Sequence, residues 1–144
     1  MQPKSDVPHH LPLSYTPTVL CIDDDPAVSE LIQDCLADYE VKLLRAFHGM
    51  QGIWMALTQK PDLIITDLRM PRGDGTTVIE CLKRNAQTEA IPIVVLTARH
   101  DSNLPCQMEK LGVVGYLTKP IHFAYLRYEL ERHIDVRLKP FEDE

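Results

Sequence analysis

The chain has 144 residues, with 15 Lys and Arg against 21 Asp and Glu, a formal net charge of -6 and a pI near 5.5. That length suits one compact domain burying about two thirds of its unfolded surface, and its acidity excludes a nucleic-acid or anionic-membrane surface, which needs clustered Lys and Arg. With no apolar run of roughly 18 residues and no signal-peptide core, a protein of the reducing cytoplasm is expected.

Residues 1–17 hold four prolines and the pair His9-His10, with little periodic apolar character, and read as a proline-rich flexible tail whose histidines face solvent. From Thr18 short β-rich runs alternate with helical repeats, the signature of successive βαβ units on a parallel sheet. The first run, Val19-Leu20-Cys21-Ile22, ends in Asp23-Asp24-Asp25. A helix should follow with Asp25 as its N-cap and Pro26 in its first turn, and Val28, Leu31, Ile32, Cys35 and Leu36 on one face. A second strand is expected over 41–46. The helix after His48-Gly49 carries Ile53, Trp54, Ala56 and Leu57 and stops at Lys60-Pro61, which places Trp54 in or near the core.

The third strand, over 62–67, delivers Asp67 to a loop containing Pro71, Gly73 and Gly75, and a helix with Val78, Ile79 and Leu82 on one side follows. A fourth strand over 91–97 ends at Thr97. Pro105 fits only the first turn of the short helix beyond it, which Gly112 ends. The fifth strand, over 114–118, leads to Lys119-Pro120 and a last helix from about His122 with Phe123, Leu126, Leu130 and Ile134 at helical spacing. Cys21, Cys35, Cys81 and Cys106 all fall at apolar strand or helix positions without C-x-x-C pairing, and read as small buried hydrophobes. The polar residues 139–144 read as a C-terminal tail or the start of a linker.

Parallel strands release their carboxyl ends into one crevice, the ligand site of open α/β sheets. Here that crevice would gather Asp23, Asp24 and Asp67 with Thr97 and Lys119. Carboxylates brought together repel by roughly 4 kcal/mol per pair at intermediate dielectric, so they need a cation or raised pKa values to coexist. A hard cation such as Mg²⁺ suits an incomplete shell of two or three carboxylates and a loop carbonyl, with room left for phosphate oxygens. One carboxylate can then act as nucleophile toward a phosphoryl donor, with Lys119 neutralising charge.

The fragments V-L-C-I-D-D-D-P, D-L-I-I-T-D-L-R-M-P-R-G-D-G, V-V-L-T-A-R and G-Y-L-T-K-P, in this order, resemble the receiver domain of two-component response regulators over about Thr18 to Val136. The resemblance implies a flavodoxin-like, doubly wound α/β fold, a five-stranded parallel sheet of order 2-1-3-4-5 with five helices, and a receiver over 18–138. It implies Asp67 as phosphoacceptor, and Mg²⁺ held by Asp23, Asp24, Asp67 and the backbone carbonyl of Arg69. Lys119 would pair with the phosphoryl group, Thr97 and Tyr116 would form the switch, and Pro120 would follow a cis bond. Arg69 and Arg99 flank the site, where a rate-tuning role and plain solvation both stay open.

Such a protein is not a turnover enzyme but a phosphoacceptor that catalyses its own phosphorylation and dephosphorylation. Its partners would be a sensor histidine kinase or histidine phosphotransfer protein and a downstream protein target, with neither nucleic acid nor membrane, and a phosphorylation-dependent homodimer stays open. Two alternatives remain at this point: the receiver part of a longer regulator or hybrid kinase, and a metal-dependent phosphohydrolase. The second lacks the acid two positions after Asp67, where Arg69 stands.

Overall fold

Three of the five strands owe their place to runs of four or five apolar or β-branched residues, and the computed structural model describes residues 15–69, 75–98 and 102–141. The elements alternate: β1 (Thr18–Ile22), α1 (Pro26–Cys35), β2 (Lys42–Ala46), α2 (Gly49–Gln59), β3 (Leu63–Thr66), α3 (Gly75–Arg84), β4 (Ile93–Thr97), α4 (Leu104–Lys110), β5 (Gly115–Thr118) and α5 (Phe123–His133). All pairings are parallel and the sheet order is β2-β1-β3-β4-β5. This is the doubly wound α/β architecture that the resemblance implied, with each strand boundary within two residues of its expected place.

Alternation within the strands divides the core in two. Leu20, Ile22, Ile64 and Val95 face Ala56 of α2, Val78, Ile79 and Leu82 of α3, and Met108 of α4. Val19, Cys21, Ile65 and Leu96 face Ile32 of α1 and Leu126 and Leu130 of α5. Each Leu, Ile, Val or Met side chain among them, fully withdrawn from water, contributes roughly 1.5–3 kcal/mol.

Local signals fix the helix ends. The Asp25 side chain accepts from Ala27 N at 3.0 Å and Pro26 opens α1, as its fixed φ favours. His48 caps α2 by accepting from Gln51 N at 3.3 Å, while Gln51 Oε1 accepts from Phe47 N at 2.8 Å, a reciprocal cap. Gly112, with φ +93°, takes the left-handed turn that follows α4. Beyond α5 the chain returns to the α1–β2 turn: Leu138 bridges Tyr39, Glu40 N donates to Arg137 O at 2.7 Å, and Lys139 N donates to Asp38 O at 2.7 Å.

Several expectations about burial are corrected. Trp54 is 63% exposed, because Gly52 and Ala56 form the face of α2 that approaches the sheet, close enough that a Cβ on Gly52 would stand 2.5 Å from Ile22 Cδ1. Leu31 and Phe123 also point outward. Of the cysteines only Cys21 is buried, Cys35 is half-buried, and Cys81 and Cys106 are exposed on the outer sides of α3 and α4. Residues 1–14 of the N-terminal segment, Pro71 and Gly73 of the loop, Arg99, and residues 142–144 lie outside the described residues. The last part of that N-terminal segment is held to the body: Tyr15 Oη donates to Asp62 Oδ1 at 2.5 Å, and Pro17 O accepts from Lys42 N at 2.9 Å.

Candidate functional site

Register places the acids. Ile22 pairs with Thr66 across β1 and β3, so the residues that follow, Asp23 and Asp67, emerge side by side at the carboxyl edge. Thr97 ends β4 opposite Thr118 of β5, and Lys119 is the next residue. Asp23 N donates to Ala46 O at 3.0 Å and Asp67 N to Ile22 O at 2.9 Å, so the backbones of both acids continue the ladder.

Asp23 and Asp67 are buried, 2% and 5% exposed, whereas Asp24 faces solvent, and carboxylate oxygens of all three lie within 4.8 Å of one another. Asp67 Oδ1 accepts from Leu68 N at 2.7 Å and Arg69 N at 3.2 Å, which fixes the carboxylate plane. Lys119 Nζ reaches Asp67 Oδ2 at 3.0 Å and Asp23 Oδ2 at 2.8 Å. Asp23 Oδ1 accepts from Asp25 N at 2.9 Å. Its other oxygen, Oδ2, is buried, with Lys119 Nζ at 2.8 Å as its ion-pair partner.

The electrostatics follow. Burial raises the pKa of Asp23, Lys119 and the Asp25 amide oppose that shift, and the charge of Asp67 adds to it. Burial alone would lower the pKa of Lys119, but its contacts with Asp23 and Asp67 outweigh that and leave it raised, so the ammonium is firmly protonated. Cys21, behind the site on β1, is pushed up to about 12 by burial and then by Asp23, which makes it inert. One ammonium facing three carboxylates leaves the crevice short of positive charge. The clustered carboxylates of exposed Asp24 and of buried Asp23 and Asp67 are oxygen donors of the kind a hard cation takes.

The remaining candidates fall as follows. Thr97 is fully buried at the end of β4, and Tyr116, half-buried, lies opposite Val95, so Thr97 and Tyr116 share one sheet face. The Lys119-Pro120 bond is cis, as the resemblance implied. Arg69 is exposed beside Asp67. Arg45 was not singled out from sequence: from β2 its Nε donates to the buried Ser29 Oγ at 2.7 Å, and it ties the first turn of α1, just behind Asp25, to the sheet. An arginine inside a strand run was the available signal.

A model of the response regulator receiver domain matches residues 19–131. The chain belongs to that family. The receiver is 42% identical over 106 residues to the DNA-binding dual master transcriptional regulator RpaA of Synechocystis, covering 72% of this chain and 43% of that protein. It is 38% identical over 104 residues to hybrid signal transduction histidine kinase D of Dictyostelium discoideum, covering 72% of this chain and 7% of that one. The receiver thus spans less than half the length of either relative. The chemotaxis protein CheY4 of Vibrio cholerae superposes with a TM-score of 0.77 at 24% identity, covering 83% of this chain and all of that one, which shows the shared fold.

As a receiver, the chain serves phosphorylation-driven signalling. Receivers as a family bind Mg²⁺ at an acidic pocket, and in this chain carboxylate oxygens of Asp23, Asp24 and Asp67 cluster at the crevice. Among the described residues no helix is long and apolar enough to cross a membrane.

Proposed function

We propose that Asp67 is the phosphoacceptor of this receiver, with Asp23, Asp24, Asp67 and the backbone carbonyl of Arg69 holding Mg²⁺. The observation that carries the reading is the placement of the Asp67 carboxylate: buried, oriented by two backbone amides, 3.0 Å from Lys119 Nζ and within 4.8 Å of two further acids. When bound, the cation supplies charge neutralisation on the phosphoryl oxygens and on the acids around it.

The chain's own residues do the rest. A carboxylate oxygen of Asp67 forms a bond to the donor's phosphorus as the phosphorus–nitrogen bond of a phosphohistidine breaks, and the electron pair leaves with the imidazole. Lys119, kept protonated by its carboxylate partners, turns from Asp67 to the new phosphoryl oxygens. Thr97 and Tyr116 respond from their shared sheet face: the Thr97 hydroxyl bonds the phosphoryl group, and Tyr116 packs into the space it leaves. That shift moves a two-state equilibrium by a few kcal/mol. Arg69 and Arg99 tune the access of water to the acyl phosphate.

The donor is a sensor histidine kinase or histidine phosphotransfer protein, and the output is binding of a downstream protein in the cytoplasm, with no turnover substrate. Residues 18–138 constitute the receiver, flanked by the segments 1–17 and 139–144. Intact-mass spectrometry after incubation with Mg²⁺ and acetyl phosphate tests the chemistry. One added phosphoryl mass, lost in Asp67→Asn and in EDTA, supports the assignment; an equal gain in Asp67→Asn overturns it.

A further inference from the structure

The second helix differs from the other four in carrying no charge. From Ala46 to Gln59 there is no Asp, Glu, Lys or Arg, whereas α1, α3, α4 and α5 each carry at least two such residues. Yet α2 lies on the surface. Its packing face is made of Gly49, Gly52 and Ala56, and its outer face presents Met50 at 69% and Trp54 at 63% exposure, four residues apart and so adjacent on the helix. Phe47, 37% exposed just before the helix, extends the stripe at its N-terminal end, held there by Arg45 with its guanidinium carbon 5.3 Å from the ring centroid. Two large side chains turned to water at these exposures, with a third beside them, make an apolar patch of a few hundred Å², the scale of the largest patch on a typical monomer, which is often functional.

We propose that this stripe is a self-association surface, in which α2 of one copy packs antiparallel against α2 of a second. Charge argues for this occupant. The chain carries a net charge of -6, so most faces of two copies would bring like charges together, while α2 meets its own image with no charge on either helix. A two-fold axis through the stripe sets Met50 of each copy beside Trp54 of the other, a self-complementary contact in which a flexible thioether packs on an indole. Size sets its strength. The patch is smaller than the roughly 800 Å² per partner of standard stable interfaces, so it forms the apolar centre of a weak, concentration-dependent dimer. The surface is distinct from the acidic crevice and does not depend on the phosphorylation reading.

Trp54 is the sole tryptophan of the chain, so intrinsic fluorescence reports directly on the patch. Sedimentation equilibrium of the whole chain from micromolar to millimolar concentration, with tryptophan emission recorded on the same samples, makes the test. The expected result is a rise from monomer to dimer mass accompanied by a shift of emission to shorter wavelength. Met50→Glu, at an exposed position that leaves the fold intact by circular dichroism, should weaken association by roughly tenfold or more, the scale of a lost hot-spot residue. Tyr125→Glu, on the outer side of α5, should not weaken it. A monomer throughout the range, a dimer without the emission shift, or a dimer that survives Met50→Glu but not Tyr125→Glu each overturns the proposal.

Discussion

Lys119 Nζ stands 3.0 Å from Asp67 Oδ2, across 52 residues of sequence and an intervening strand, and the oxygen it holds belongs to the carboxylate assigned as phosphoacceptor. The contact braces the unmodified protein, and in the proposed function the same ammonium is the partner of the transferred charge. Lys119→Met keeps much of the side-chain bulk and removes that charge. The rate of labelling by acetyl phosphate, followed by intact mass, should fall on the order of 10²-fold, the usual effect of deleting one preorganised transition-state stabiliser. An unchanged rate would assign Lys119 to structure alone.

Cation binding at the acids should show as stability. A ligand that binds only the folded state adds about 2.7 kcal/mol at one hundred times its dissociation constant, so Mg²⁺ should raise the thermal midpoint in a saturable way and EDTA should reverse the rise. Asp24 is exposed, and no ion pair to it is seen among the described residues. Asp24→Asn should therefore abolish the Mg²⁺-dependent increment while leaving the metal-free midpoint nearly unchanged. Differential scanning calorimetry with and without Mg²⁺ checks both halves.

Gly52 lets α2 lie directly on β1. Replacing it with Ala gains about 0.5–1 kcal/mol of helix preference, but the new methyl would meet Ile22 Cδ1 at 2.5 Å and Cγ1 at 2.8 Å, in a side chain with no exposure and nowhere to swing. Overpacking of this kind costs about 1–3 kcal/mol, so Gly52→Ala should destabilise in urea melts. Ile22→Val removes the closest atom. The double variant should lose less than the sum of the two single losses, the sign of coupling between touching groups.

Tyr15 offers a titration. Its hydrogen bond to Asp62, then partial burial, raise the phenol to about 12 from the ordinary 10.0. The folded state holds this proton more tightly, so the contribution is whole below pH 10 and is lost as pH rises through the folded value near 12. In Tyr15→Phe the part of the stability loss between pH 10 and 12 that comes from this residue should vanish. Chemical denaturation at several alkaline pH values, beside an ultraviolet tyrosinate titration, would reveal it.

Much of the fold was legible because parallel strands buried on both faces read as unbroken apolar runs, and the acids stood at their ends. The positions of Lys119 and Asp67 at one sheet edge were legible for the same reason: a charge that closes an apolar run has a defined edge to sit on. Trp54 was not legible. Periodicity rewards large apolar residues, but α2 packs through Gly49, Gly52 and Ala56, whose small side chains carry almost no hydrophobic signal and yet allow the closest approach. Glu129 was hidden for the opposite reason. A carboxylate on a helix reads as solvated, whereas this one is 8% exposed, with Oε1 where a Cβ on Gly115 would stand 2.4 Å away, and Arg132 and His133 within 3.2 Å. Its burial depends on a glycine in a neighbouring strand, a pairing that no local window contains.

The return of the chain after α5 to the α1–β2 turn closes a mechanical circuit. From Asp23 the path runs along β1, across the ladder to β2, back to residues 38–40, over to 137–139, up α5 and through Lys119 to Asp23 again. In an open chain of contacts a displacement at one end can dissipate outward. In a ring the other links can share it, so a shift of Lys119 is expected to reach the seam at Tyr39 and Leu138, at the end of α5 remote from the acids. That seam is accordingly a place where amide exchange should register what happens at Asp67, although no residue of it touches the crevice.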